Sequence, residues 1–200
     1  MTSSATNETD STQDARVLRR IVRERRTNLR IDTTRHVDDA IIIELCQLAA
    51  WAPNHKLTQP WRFAVIRGRA RGTLGQLAAD HQKSLGDDDP ARLEKTRTKY
   101  LRAPVIVIVA SGSDAAMGSS RRAEDRDAVS AGIQNLLLGA TAVGLNSYWS
   151  TGVFTSAPLV KEFAGLRPED DIVAGVYLGW PLGPVPVPER RTPVIRWLGD

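Results

Sequence analysis

The chain has 200 residues, 42% of them hydrophobic and 25% charged, an ordinary globular balance that suits one domain with arms. Net charge is +4, from 27 Lys+Arg against 23 Asp+Glu, mostly Arg, which favours an anionic ligand over a nucleic-acid coat. The single cysteine, Cys46, excludes an internal disulfide, and no run approaches the ~18 apolar residues of a membrane span. The N-terminal MTSSATNETDSTQDA lacks the apolar core of a signal peptide, so the expected compartment is the cytoplasm. Residues 1–13 read as a disordered tail. DARVLRRIVRERR (14–26) then reads as an amphipathic helix with Val17, Ile21 and Val22 on one side, ending near Thr27-Asn28. VDDAIIIELCQLAAWA (37–52) predicts a second helix with Asp38 as N-cap, stopped by Pro53. APNHKLTQPWRF (52–63) is a stiff polar connector into a strand at 61–67.

Residues 68–85 hold a helix, and 91–103 another, ended by Pro104. VIVIVAS (105–111) is the most apolar run and predicts a fully buried strand. A polar loop is expected over 112–125 and an Ala/Gly-rich, closely packing helix over 126–144. A short strand (146–150), a helix (156–165) capped by Thr155 or Ser156, and a strand (171–180) follow. The remaining 181–200 carries five prolines and predicts an extended arm rather than a compact element. Strand-helix alternation, taken alone, suggests a parallel α/β sheet.

Several chemistries have no motif here. Neither G-x-G-x-x-G nor a P-loop occurs, and there is no G-x-S-x-G elbow. His36, His55 and His81 lie far apart without Cys partners, which argues against a zinc site. A cofactor is therefore expected to carry any reaction. Three segments have binding chemistry. In RERRTN (23–28), Arg25 and Arg26 converge only if the helix ends there, because adjacent helical side chains diverge by ~100°. They then make either an anion anchor or part of a solvated basic face. The connector presents Asn54, His55 and Gln59 either to a planar polar ligand or to water. YWSTG (148–152) is either a strand-end turn or a place where backbone approaches a ligand closely.

RRTN (25–28), AAWAPNHKLTQPWRFAVI (49–66), LGATAVGLNSYWSTG (138–152) and YLGWP (177–181), in this order, resemble the nitroreductase family of flavin oxidoreductases. The resemblance covers roughly 15–195 and is similar to the family's small single-domain branch. It implies an α+β fold with a mixed, mostly antiparallel sheet flanked by helices, in place of the parallel sheet. It also implies a homodimer holding FMN at the subunit interface, over a domain at 14–180, with the 181–200 arm packing on the partner subunit. Arg25, Arg26 and Thr27 match positions holding the FMN phosphate and pyrimidine end. His55 matches one reaching FMN from the other subunit, with Trp51 on the same loop. Trp149, Ser150 and Thr151 match the stretch lining the isoalloxazine. Ser150 stands where this branch can carry Arg, and Arg191 matches loosely a basic arm residue that helps hold the phosphate.

The implied activity is an NAD(P)H-dependent, ping-pong hydride transfer through flavin N5 to a nitroaromatic or quinone, with no side chain acting as a base, no metal, no nucleic acid and no membrane. Other readings are a different flavin reaction, such as dehalogenation or desaturation, and a non-enzymatic basic dimer binding nucleic acid through the 16–35 arginines.

Overall fold

A computed structural model describes residues 4–112 and 118–199. Four strands form one sheet in the order β1-β2-β4-β3: β1 (Trp61–Arg67), β2 (Val105–Ser111), β3 (Asn146–Ser150) and β4 (Asp171–Gly179). Every pairing between them is antiparallel, with Trp61 opposite Ser111, Val105 opposite Leu178 and Tyr148 opposite Tyr177. Among the described residues, the one parallel feature is an isolated bridge between Thr27 and Ser147. The sheet is therefore mostly antiparallel, as the family resemblance implies, and the parallel α/β reading fails. Alternation misleads because the chain between β1 and β2 returns through a pair of helices instead of crossing over the sheet.

Those helices are α3 (Ala70–Ser84) and α4 (Pro90–Thr98). They share one face of the sheet with α6 (Pro158–Phe163), while α2 (Asp39–Ala49) and α5 (Ser119–Ala142) cover the other. Alternate residues of β2 supply both cores, since strand side chains alternate faces. Val105, Val107 and Val109 meet Ile42, Leu45, Ile133 and Leu136, whereas Ile106 and Ile108 meet Leu74, Tyr100 and Phe154. β2 is buried along its whole length, as its uninterrupted apolar run predicts.

Asp38 caps α2 as expected, accepting from the Ala40 N–H at 3.0 Å. α5 packs closely on α2 because Gly132 and Gly139 face it. A Cβ at Gly132 would lie 2.6 Å from the Ala49 carbonyl oxygen. α1 (Ser4–Glu24) starts earlier than expected. Residues 4–13, read as a disordered tail, continue its helix, since their polar residues do not oppose propagation from the amphipathic turns that follow. α5 also starts early, at Ser119. Residues 119–125 were expected in a loop, but tertiary pairs hold them: Arg122 reaches Asp171 at 3.2 Å and Glu124 reaches His55 at 2.8 Å. The loop's residues 113–117 lie outside the described residues. Neither Thr155 nor Ser156 caps α6. Their hydroxyls close a 3-10 turn, donating to the carbonyls of Gly152 and Val153, and Ala157 precedes the helix instead.

Leu18 and Val22 of α1 are exposed, and Ile21 is half-buried. Beyond Pro181 the chain forms no helix or strand through residue 199, and Val194, Trp197 and Leu198 are exposed. Among the described residues, no helix is long and apolar enough to cross a membrane.

Candidate functional site

Helix α1 ends at Glu24, so Arg25 and Arg26 lie in the turn beyond it. Arg26 folds its guanidinium back to donate to the Arg23 carbonyl and, at 2.7 Å, to the Arg25 carbonyl. This satisfies carbonyls at a helix end. Its Nε is buried with no hydrogen-bond partner. Thr27 then lies along the edge of β3, and Asn28 N–H donates to the Ser147 carbonyl at 3.1 Å. RRTN, far from YWSTG in sequence, therefore runs beside β3, whose end opens YWSTG. Within YWSTG, Trp149 is half-buried against the α2–α5 core, Ser150 is buried, and Thr151 is exposed. Gly152 has φ 148°, and Lys99 Nζ lies 3.6 Å from where its Cβ would be. Burial first, then the charges of Arg102 and Lys95, lowers the Lys99 pKa.

The arm adds a third cation. Arg190, rather than the Arg191 expected, lines a cavity of about 440 Å³ with Arg23, Arg25, Arg26 and Gln134. The Arg25 pKa is lowered by burial, then by Arg190 and Arg26. Among the described residues, none of these three arginines has a carboxylate within ion-pair distance. Three guanidiniums held together without a counter-charge, one with an orphaned buried N–H, fit a bound phosphate.

The connector builds a separate feature. His55 begins a 3-10 turn and places Nδ1 2.8 Å from Glu124 Oε2 of α5. That hydrogen bond, before any other cause, holds the Glu124 carboxyl below its ordinary range. Asn54 and Gln59 were expected to face either a ligand or water, but Asn54 turns inward. Its amide donates to Thr58 Oγ1 at 3.0 Å, and its carbonyl accepts the Gln59 N–H at 2.7 Å. Gln59 is exposed. Lys56, Leu57 and Gln59 have φ of 57°, 51° and 49°, which costs non-glycine residues roughly 1 kcal/mol each. Trp51 is 84% exposed and borders an open cavity of about 500 Å³ with Leu57, Gln59 and Trp61.

These two features do not meet within one chain. α5 contacts the connector at Glu124 and Asp125 but the arginine cavity at Gln134, roughly 15 Å further along the helix. Nothing local marks Gln134, Asp125 or Lys99: Gln134 and Lys99 fall in ordinary helical runs, and Asp125 at the end of the expected polar loop. Among the described residues, no group of three or more His, Cys, Asp or Glu is placed to hold a metal ion.

Fold and site together define a three-layer α+β domain with a cationic cradle where the chain crosses the β3 edge. The chain belongs to the nitroreductase family, whose sequence model matches residues 22–180. It is 31% identical to YfhC of Bacillus subtilis, provisionally named an NAD(P)H nitroreductase, over 192 residues covering 94% of this chain and 95% of that protein. Among solved structures it is similar to a nitroreductase-like protein of Bacillus cereus, with TM-score 0.74, 28% identity, and coverage of 88% of this chain and 91% of that one. The fold also matches a Bacteroides fragilis nitroreductase with bound FMN, at TM-score 0.68 and 19% identity, covering 88% and 94%.

Proposed function

We propose that the protein is an FMN-dependent NAD(P)H oxidoreductase acting as a homodimer on electron-poor acceptors such as nitroaromatics or quinones. The observation that carries this is the uncompensated cluster of Arg25, Arg26 and Arg190 beside β3. Arg25 and Arg190 hold the FMN phosphate. Arg26 shapes the turn and offers its unpartnered Nε. Thr27 supplies a hydroxyl, and the backbone of 149–151 lines the ring, with Trp149 packing behind it. When bound, FMN supplies hydride chemistry at N5, with NAD(P)H and the acceptor using one place in turn.

The chain's own residues bind, orient and shield, and none acts as a chemical base. His55 meets α5 at Glu124, too far from Gln134 to complete this cradle in the same chain, so it reaches the partner subunit's flavin across the dimer interface, with Trp51 on the same loop. The exposed apolar stripe of α1 and the exposed apolar end of the arm support such an interface. Residues 14–180 form the domain, with the arm lying on the partner.

The test is the visible spectrum of the purified protein, followed by heat release and chromatography of the chromophore. About one FMN per chain is expected. Arg25→Gln should lose most of it, since charge-assisted hydrogen bonds to phosphate contribute about 1.5–3 kcal/mol each. Full flavin content in that variant would refute the phosphate assignment.

A further inference from the structure

Asp125 belongs to neither the arginine cradle nor the exposed face of α5. It is 1% exposed, and one carboxyl oxygen has no hydrogen-bond partner. The other accepts a short hydrogen bond from the Thr58 hydroxyl. Burying an acid on a helix packed against an apolar sheet is costly, so its presence there points to a task. The hydrogen-bond directions indicate one. Thr58 has a single hydroxyl proton, and of its two acceptors Asp125 is much the nearer, Asn54 Oδ1 lying at 3.4 Å. Thr58 Oγ1 in turn accepts from the Asn54 amide at 3.0 Å, and the Asn54 carbonyl accepts the Gln59 N–H at 2.7 Å. The chain of donors thus runs in one direction, from the backbone of Gln59 to the side chain of Asp125, and such chains strengthen cooperatively.

It also spans the three residues held at positive φ, a shape that persists only where surroundings over-determine it. On the outer side of the same connector, the preceding helical residue, Glu124, holds His55. Two consecutive residues of α5, diverging by ~100°, therefore grip the connector from inside and outside.

We infer that Asp125 is a positioning residue: acting through Thr58 and Asn54, it fixes the strained 54–59 connector so that His55 and its neighbours are preset for their ligand. The ligand part of this inference rests on the proposed place of the connector in the flavin site. The loop part does not.

The experiment uses the full-length protein with Asp125→Ala, Asp125→Asn and Thr58→Ala. One readout is the rate of tryptic cleavage after Lys56, relative to the wild-type protein under the same conditions, followed by mass spectrometry. The other is FMN affinity by titration of the flavin-free protein. Asp125→Ala should speed cleavage after Lys56 at least tenfold and weaken FMN binding at least tenfold. Asp125→Asn keeps an acceptor oxygen for Thr58 and should stay within about threefold of wild type in both. If Asp125→Ala does not fold, Thr58→Ala breaks the same link from the loop side and should loosen the connector alike.

Unchanged cleavage in a folded Asp125→Ala or Thr58→Ala protein overturns the inference, even where FMN binding falls. So does an Asp125→Asn variant that loosens as much as Asp125→Ala. Faster cleavage with unaltered FMN affinity upholds the hold on the loop and overturns the ligand part, removing the connector from the flavin site.

Discussion

Replacing Gly132 by alanine probes the crossing on which both site features depend, because α5 carries the connector at one station and lines the arginine cavity at another. The new Cβ would lie 2.6 Å from the Ala49 carbonyl oxygen, 3.3 Å from its carbon and 2.8 Å from Trp61 Nε1. Backbone cannot rotate away, so α2 and α5 must part by most of an ångström. Overpacking of this kind costs about 1–3 kcal/mol. Because the clash is with backbone the cost should fall in the upper part of that range, about 2–3 kcal/mol, and with up to about 1 kcal/mol returned by alanine's better helix propensity the net loss is roughly 1–2 kcal/mol. Gly139→Ala is the internal control. Its Cβ would meet Leu48 Cδ1 at 2.7 Å and Leu45 Cδ2 at 2.8 Å, both ends of flexible side chains. Those can turn aside, so the propensity gain offsets the crowding and stability should hold within about 0.5 kcal/mol. Urea unfolding of both variants measures the difference, and thermal midpoints should separate by about 2–6 °C. A Gly132→Ala protein as stable as wild type, or less affected than Gly139→Ala, would refute the backbone-contact reasoning.

In the arm, Arg190→Gln should weaken FMN binding about tenfold, one charge-assisted bond discounted for exposure, while Arg191→Gln stays within about twofold, as read by flavin fluorescence titration. Acid should destabilise the fold through Glu124, held below its ordinary 4.5 first by the His55 hydrogen bond, and Asp32, held below 3.8 first by the Thr34 hydroxyl. Depressed values stabilise fully above the ordinary ones and lose that contribution as pH falls through them, so thermal midpoints should stay level down to about pH 5 and fall below 4.5. Glu124→Gln should flatten part of that fall. Burial pushes the Cys46 thiol up to about 11, so a thiol-specific chromogenic reagent at pH 8 should label the folded protein at least about tenfold more slowly than the urea-unfolded chain.

The strands at 61–67, 105–111 and 146–150 were legible to the residue because prolines or glycine precede their apolar runs. Their direction was not, since nothing local in a strand encodes whether its neighbour runs parallel, and the helix pair between β1 and β2 mimics a crossover. The start of α5 was hidden for a related reason. RRAED looks like loop chemistry until Asp171 and His55 arrive from elsewhere to pair with it. In the site, the end of α1 at Arg25-Arg26 could be read from the drop in helix propensity, and the motif order carried the family. That Arg190 lines the cavity could not be read, because side-chain direction on an extended arm flips with a one-residue shift. The inward turn of Asn54 was likewise invisible. An amide that serves its own loop has the same composition as one that serves a ligand.

Residues 27–32 join both ends of the domain. Asn28 takes the Ser147 carbonyl, Asp32 N–H donates to Trp180 at 2.8 Å, and the Arg30 carbonyl accepts from Leu182 N–H at 3.0 Å. The arginine turn is thus moored to the sheet on its downstream side, whereas the helix before it lies largely exposed. α1 can fray, lengthen or lose its first turns while the arginine turn keeps its place beside β3. Selection on the leading helix is then free to follow whatever surface it meets, without retuning the chemistry one step further along the chain.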